Sequence, residues 1–156
     1  MADVKCVGAY LNSLYMAKYS ENMDEMKMHK LMYFSQRESL MRYNEALFEE
    51  DFLGWKYGPV LLSVRDEYRK KGSNPPFGNV RCCLTELEKS LLNSVMNRYG
   101  SLSSWKLSSL SHAELSWRKS RKGLKASDNG NVKLELNAMR VDAAREKSYR
   151  KKQETT

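Results

Sequence analysis

Between Asn22 and Tyr43 the chain reads as one long helix whose apolar residues do not keep to a single stripe. Met28, Leu31, Met32 and Ser35 share one face at helical spacing, while Met23, Phe34 and Met41 occupy neighbouring sectors. Apolar side chains therefore wrap most of the circumference, and water tolerates such a helix only when other elements cover it on several sides. Asn22 to Asp24 offer side chains that can cap its start. The segment demands the centre of a helical domain, and Ser35, small among large neighbours, leaves room for another helix to approach closely.

The flanking sequence supplies the covering elements. Val4, Val7, Leu11, Leu14 and Tyr15 recur at steps of three and four behind Asp3, which predicts a capped amphipathic helix over 4–19. Thr85 followed three residues later by Glu88 is a capping-box pattern ahead of Leu87, Leu91, Leu92, Val95 and Tyr99, with a stop at Gly100. A shorter helix is expected from Ser103 through Leu107 and Leu110. Ala138, Met139, Val141, Ala144 and Tyr149 permit a last one. Asp128-Asn129-Gly130-Asn131 is a turn signal, and Val132 to Leu136 alternates as a short strand does. The expected fold is mainly α, a compact single-domain bundle of about six helices with a small β hairpin or strand pair. The domain is expected to occupy residues 1–145, followed by a basic, flexible tail over 146–156.

The segment Phe52-Leu53-Gly54-Trp55-Lys56-Tyr57-Gly58-Pro59 concentrates aromatic, glycine and proline residues in one place. Leu47-Phe48 and Phe52-Leu53 read as short extended pieces leading into it. Glycine provides backbone freedom, proline fixes φ, and tryptophan and tyrosine bury large areas while seeking polar partners. Val60, Leu61, Leu62, Val64 and Tyr68 follow at helical spacing. Gly58-Pro59 is thus expected to open a helix running from about Val60 to Lys71 and ending at Gly72, with the proline near its first position. Ser73 to Asn79 then reads as a loop.

Function classes narrow next. No apolar run approaches the roughly 20 residues of a membrane span, and the N-terminus lacks the pattern of a secretory signal, so a cytoplasmic protein is expected. Cys6, Cys82 and Cys83 cannot all pair, and the adjacent pair lacks zinc-knuckle spacing. His29 has no second ligand a helical turn away, and His112 with Glu114 is a weak constellation. No phosphate-binding glycine loop or nucleophile elbow is apparent. A non-enzyme without cofactor or metal is expected. The chain carries 27 basic and 19 acidic residues, a formal charge of +8. Arg118, Lys119, Arg121, Lys122 and Lys125 form one cluster, and Arg145, Lys147, Arg150, Lys151 and Lys152 another. Such polarity suits an acidic partner, or is simply a solvated surface.

Several motifs then stand in order: Lys30-Leu31-Met32-Tyr33-Phe34, Leu47-Phe48, Phe52 to Val60, and His112-Ala113-Glu114 with Trp117-Arg118-Lys119. This set resembles the Panacea domain family, which includes SocA-like antitoxins and phage-associated GepA-like proteins, over roughly residues 4–145. The resemblance implies an antitoxin that neutralises a cognate toxin by direct protein–protein binding. Alternatives it leaves open are a phage-borne inhibitor of a host or defence nucleoprotein complex, resembling an anti-CRISPR protein, and a proteolytic adaptor. The matching residues Lys30, Leu31, Tyr33, Phe34, Gly58, Pro59 and His112 are expected to be structural.

Interface hot spots favour Trp, Tyr and Arg. Trp55, Lys56, Tyr57, Trp117, Arg118, Lys119 and Arg121 are therefore the candidate partner contacts, in two loop-like motifs, with the last three basic residues as a rim for an acidic protein. The plainer reading of Trp55, Tyr57 and Trp117 is that they stitch loops to the core. Nucleic acid is a secondary partner: Arg65, Arg69, Lys70 and Lys71 follow the aromatic turn as they would in a helix-turn-helix, but Asp66 and Glu67 interrupt them. The target's identity and the oligomeric state do not follow from sequence.

Overall fold

A computed structural model describes residues 1–70, 74–81 and 84–155. The expectations for Lys71, Gly72, Ser73, Cys82 and Cys83 lie outside the described residues. Helix α1 (Val4–Tyr19) starts at Asp3, whose carboxylate accepts from the Lys5 N–H at 2.8 Å, and stops at Ser20 in the left-handed region. Helix α2 (Glu25–Tyr43) is capped by Asp24 and ends at Asn44, also left-handed, a conformation that asparagine adopts more readily than most residues. The turn between them is held by Asn12, which accepts from the Met23 N–H and donates to Asn22.

Every residue of α2 from Lys27 to Leu40 is buried. Around it lie α1, β2 (Gly58–Val60), α3 (Leu62–Arg69), α4 (Glu86–Tyr99), α5 (Ser104–His112) and α7 (Leu136–Glu154). The wrapped apolar pattern is thus answered by neighbours on all sides. Most polar residues of α2 are buried too, and several tie down a connection. Lys27 donates to Gly100 O, Ser39 to Glu45 O, and Gln36 both donates to Phe48 O and accepts from the Leu47 N–H. Leu47-Phe48 therefore sits in a bend fixed by Gln36 rather than in an extended strand.

Strand β1 (Leu53–Trp55) pairs with β2 antiparallel, Leu53 opposite Val60 and Trp55 opposite Gly58, so Lys56-Tyr57 forms the turn. This corrects the expectation for Gly58-Pro59: both belong to β2, and the helix starts at Leu62. Pro59 fits because its partner Gly54 directs its own N–H outward to Val132 O at 2.9 Å, so no ladder bond is lost at this pair. The segment expected as a strand over 132–136 contributes one bridge, Lys133 to Leu53, flanked by the Leu134 N–H donating to Phe52 O. Its alternation stops there because α7 begins at Leu136.

The capping box of α4 is present with both of its bonds, and Ser103 caps α5. A seventh helix not anticipated from sequence, α6 (Leu115–Ser120), lies between α5 and α7. Residues 146–154, expected in a flexible tail, instead continue α7 to Glu154. Phe77, inside the segment expected as a loop, inserts its ring against Gly8 and is 2% exposed. Among the described residues, no helix is long and apolar enough to cross a membrane.

Candidate binding surface

The family-motif residues on α2 organise the interior beneath the hairpin. Leu31, Tyr33 and Phe34 are all buried, with Phe34 stacked on Tyr99 and Tyr33 edge-on to Phe52 at 5.6 Å. The Tyr33 hydroxyl donates toward Glu114 at 2.8 Å and Asp142 at 3.3 Å and shares a hydrogen bond with Ser116. Burial first, then these two carboxylates, push its pKa well above the ordinary tyrosine value. Arg37 donates to Glu114 and to the Tyr99 hydroxyl at 2.8 and 2.6 Å. Burial opposes the Arg37 charge, but Glu114 and its other neighbours hold its pKa up. Burial likewise raises the Glu114 pKa, with Arg37 pulling it back.

Asp142 completes this network by accepting from the Leu115 and Ser116 N–H groups at 2.7 and 2.9 Å, which caps α6 from α7. Helix α6 in turn carries Trp117, whose indole N–H donates to Trp55 O at 2.8 Å and whose ring stacks on His112 at 4.2 Å. Gly54 permits this approach, since a Cβ there would lie 2.0 Å from Ser120 Oγ. Trp117 and His112 are therefore part of the scaffold that holds the hairpin, and the motif carrying Trp117, Arg118 and Lys119 is helical rather than loop-like.

Lys30 reaches the same place from below. It is 2% exposed, donates its Nζ to Tyr57 O, and loses part of its basicity to burial, its pKa falling to about 8. Gly58, at φ 126°, leaves the space: a Cβ on it would collide with Lys30 Nζ. The turn is thus clamped by a buried cation while its own side chains face outward. Tyr57 is 62% exposed, and Lys56 Nζ lies 5.2 Å from its ring centroid.

Beside the turn opens a cleft of about 660 Å³. One wall is Trp55, Lys56, Tyr57 and Pro59, another Glu25, Met26, His29 and Lys30, a third Arg65 and Arg69, with Asn129 to Asn131 closing the rim. The Arg65 guanidinium sits 4.8 Å from the Trp55 ring centroid. His29 accepts from the Leu61 N–H at Nδ1 and donates to Glu25 at 3.2 Å, so its neutral ring is protonated at Nε2. Burial lowers its pKa to about 4, outweighing the hydrogen bond to Glu25.

The predicted contact residues separate accordingly. Trp55, Lys56 and Tyr57 come together at the cleft. Arg118 and Lys119 are exposed on α6 outside its lining, Lys119 pairing with Glu135 at 2.8 Å. Arg121, expected on the rim, is 7% exposed and donates to Gly54 O, Lys125 O and Asp128 O, because a carbonyl of β1 and two of the following loop converge on it. His29, Met26 and the Asn129 to Asn131 loop line the cleft without having been legible as contributors to it. Arg65 and Arg69 were legible only as cations on a helix, and the element preceding that helix is a β hairpin, not the helix and tight turn of a helix-turn-helix. Cys6 is buried, its Sγ donating to Arg81 O at 3.6 Å.

The family model for the antitoxin SocA-like, Panacea domain matches residues 28–118, more than half of the chain. The match begins on α2 and ends on α6, so it takes in the clamp, the hairpin and most of the cleft lining. No curated protein and no solved structure gives a significant match to the chain.

Proposed function

The chain belongs to the family of SocA-like antitoxins with a Panacea domain, and from that membership we propose that it neutralises a cognate toxin by direct protein–protein binding through the hairpin turn and the adjoining cleft. The observation that carries the choice of face is the Lys30 clamp. A buried lysine, a glycine at positive φ and a stacked His112–Trp117 pair all act to hold one short turn rigid while Tyr57 projects into solvent. Rigid aromatic anchors lose little conformational freedom on binding, which is why they dominate protein interfaces. We read the role as binding rather than catalysis, with His29 accepting from the backbone ahead of α3 and His112 stacking on Trp117.

Co-expression with the product of the adjacent gene tests this reading. A neighbour that arrests growth alone, is rescued by this chain and co-purifies with it supports antitoxin function. A harmless neighbour, or a toxic one that is neither bound nor rescued, overturns it. Within a rescuing pair, Tyr57→Ala is expected to weaken binding by about 1–2 kcal/mol or more, as truncation of an aromatic anchor does, without lowering the melting temperature, since the ring is largely solvated.

A further inference from the structure

The cleft beside the hairpin is unevenly charged. Lys30, Lys56, Arg65 and Arg69 line it, with Glu25 the single carboxylate among the described lining residues. These cations are not equivalent. Lys30 is already bound to Tyr57 O, and Arg69, 63% exposed at its side chain, pairs with Glu25 at 3.6 Å. Arg65 is half-buried and has no acidic partner among the described residues; its guanidinium rests on the Trp55 ring. An arginine stacked by its face keeps its N–H edge available, and that planar edge matches a carboxylate in a two-pronged pair. The Trp55 indole N–H is buried with no hydrogen-bond partner among the described residues.

We infer that the cleft receives an acidic segment of the partner protein, with Arg65, positioned by Trp55, as the group that pairs with its carboxylate. The inference rests on the antitoxin reading of the same face and adds the chemistry of the toxin segment it takes. Met26, Pro59, Val60 and Tyr57 give the cleft apolar walls, so the segment carries apolar side chains beside its acids. A nucleic-acid strand fits less well. The free guanidinium is one fixed position, not a track of cations along a backbone.

The test uses the full chain carrying Trp105→Phe, which removes a largely solvated tryptophan signal (Trp105 is 84% exposed) and leaves Trp55 and Trp117 as reporters. A short peptide of alternating glutamate and leucine and a short oligothymidylate are titrated at physiological ionic strength. The expected result is a saturable fluorescence change with the peptide, about tenfold or more weaker in Arg65→Ala. Arg65→Lys, which keeps the charge and loses the planar fork, is expected to fall between. Arg98→Ala on α4, outside the cleft, is expected to bind as the parent does. No saturable response to the peptide, a response indifferent to Arg65, or tighter Arg65-dependent binding of the oligothymidylate would each overturn the inference. In cells, a toxic neighbour rescued equally well by the parent and by Arg65→Glu overturns the cleft and leaves the antitoxin reading intact. A toxin that the parent itself does not rescue counts against that reading, while the peptide titration still decides the cleft.

Discussion

The Tyr33 hydroxyl has one proton to give and two carboxylates within reach, with the Ser116 hydroxyl beside them. It therefore works as the hub that lets Glu114 and Asp142 sit together in the interior, and Tyr33→Phe leaves both with one donor fewer. The expected loss is about 1–3 kcal/mol, the cost of an unmet buried hydrogen bond, read from urea denaturation with the slope unchanged. His29 makes a second prediction at this scale. Its folded pKa is about 4 against an ordinary 6.5, because burial disfavours the charged ring. Between those values the unfolded chain binds a proton that the folded chain does not. The stability contributed by the neutral ring is complete above about pH 6.5 and declines as pH falls toward 4. In His29→Gln the slope of stability against pH over that window is expected to flatten relative to the parent. Equal slopes would mean that the imidazole is already solvated.

At the scale of elements, α6 shows why some of the fold was not legible. Six residues form no stable helix on their own, since nucleation is costly and few bonds follow it. Its first two N–H groups are satisfied by Asp142, 26 and 27 residues further along the chain, a partner that no local pattern announces. Asp142→Ala is expected to cost about 1–2 kcal/mol, as loss of a helix cap does. It should also speed amide exchange at Leu115 and Ser116 and loosen the Trp117 contact with Trp55 O. A variant with native exchange rates at those two amides would show that α6 is held by packing alone. Elements that carry their own caps were readable from sequence: Asp3, Asp24, Thr85 with Glu88, and Ser103 each mark a true helix start. The hairpin lies between these cases. Its glycines and aromatics announced a turn, but the paired strands depend on Lys30 reaching across 27 positions to Tyr57 O and on Val132 covering the other edge. The cleft had the same limits: Trp55, Lys56 and Tyr57 stood out as adjacent residues, whereas Arg65 and Asn129 to Asn131 reach it only through the fold.

For the whole molecule, the net positive charge is a poor guide to where charge acts. Of the two basic clusters, Arg121 is an internal staple for the loops, and Arg150 is another, joining the end of α7 to the central helix. Arg150 donates to both oxygens of Glu38 at 2.9 Å, and Arg42 supplies a third bond to the same carboxylate, which is 3% exposed. Burial alone would raise the Glu38 pKa, but the hydrogen bonds and charge of Arg150, with Arg42, bring it below the ordinary value. Removing Arg150 strands a buried charge with one partner. Arg150→Ala is expected to destabilise by about 2–3 kcal/mol, less than for a fully orphaned buried ion because Arg42 remains. The sign with pH follows from the lowered pKa. The contribution is present in full above the unfolded carboxylate's value and is lost as pH falls through the folded one, so parent and variant should converge in acid. A chain ending at Arg145 removes the same staple together with the last turns of α7, and is expected to lose at least as much. An unchanged melting temperature after that truncation would show that the final turns of α7 are dispensable and that Glu38 finds its counter-charge elsewhere.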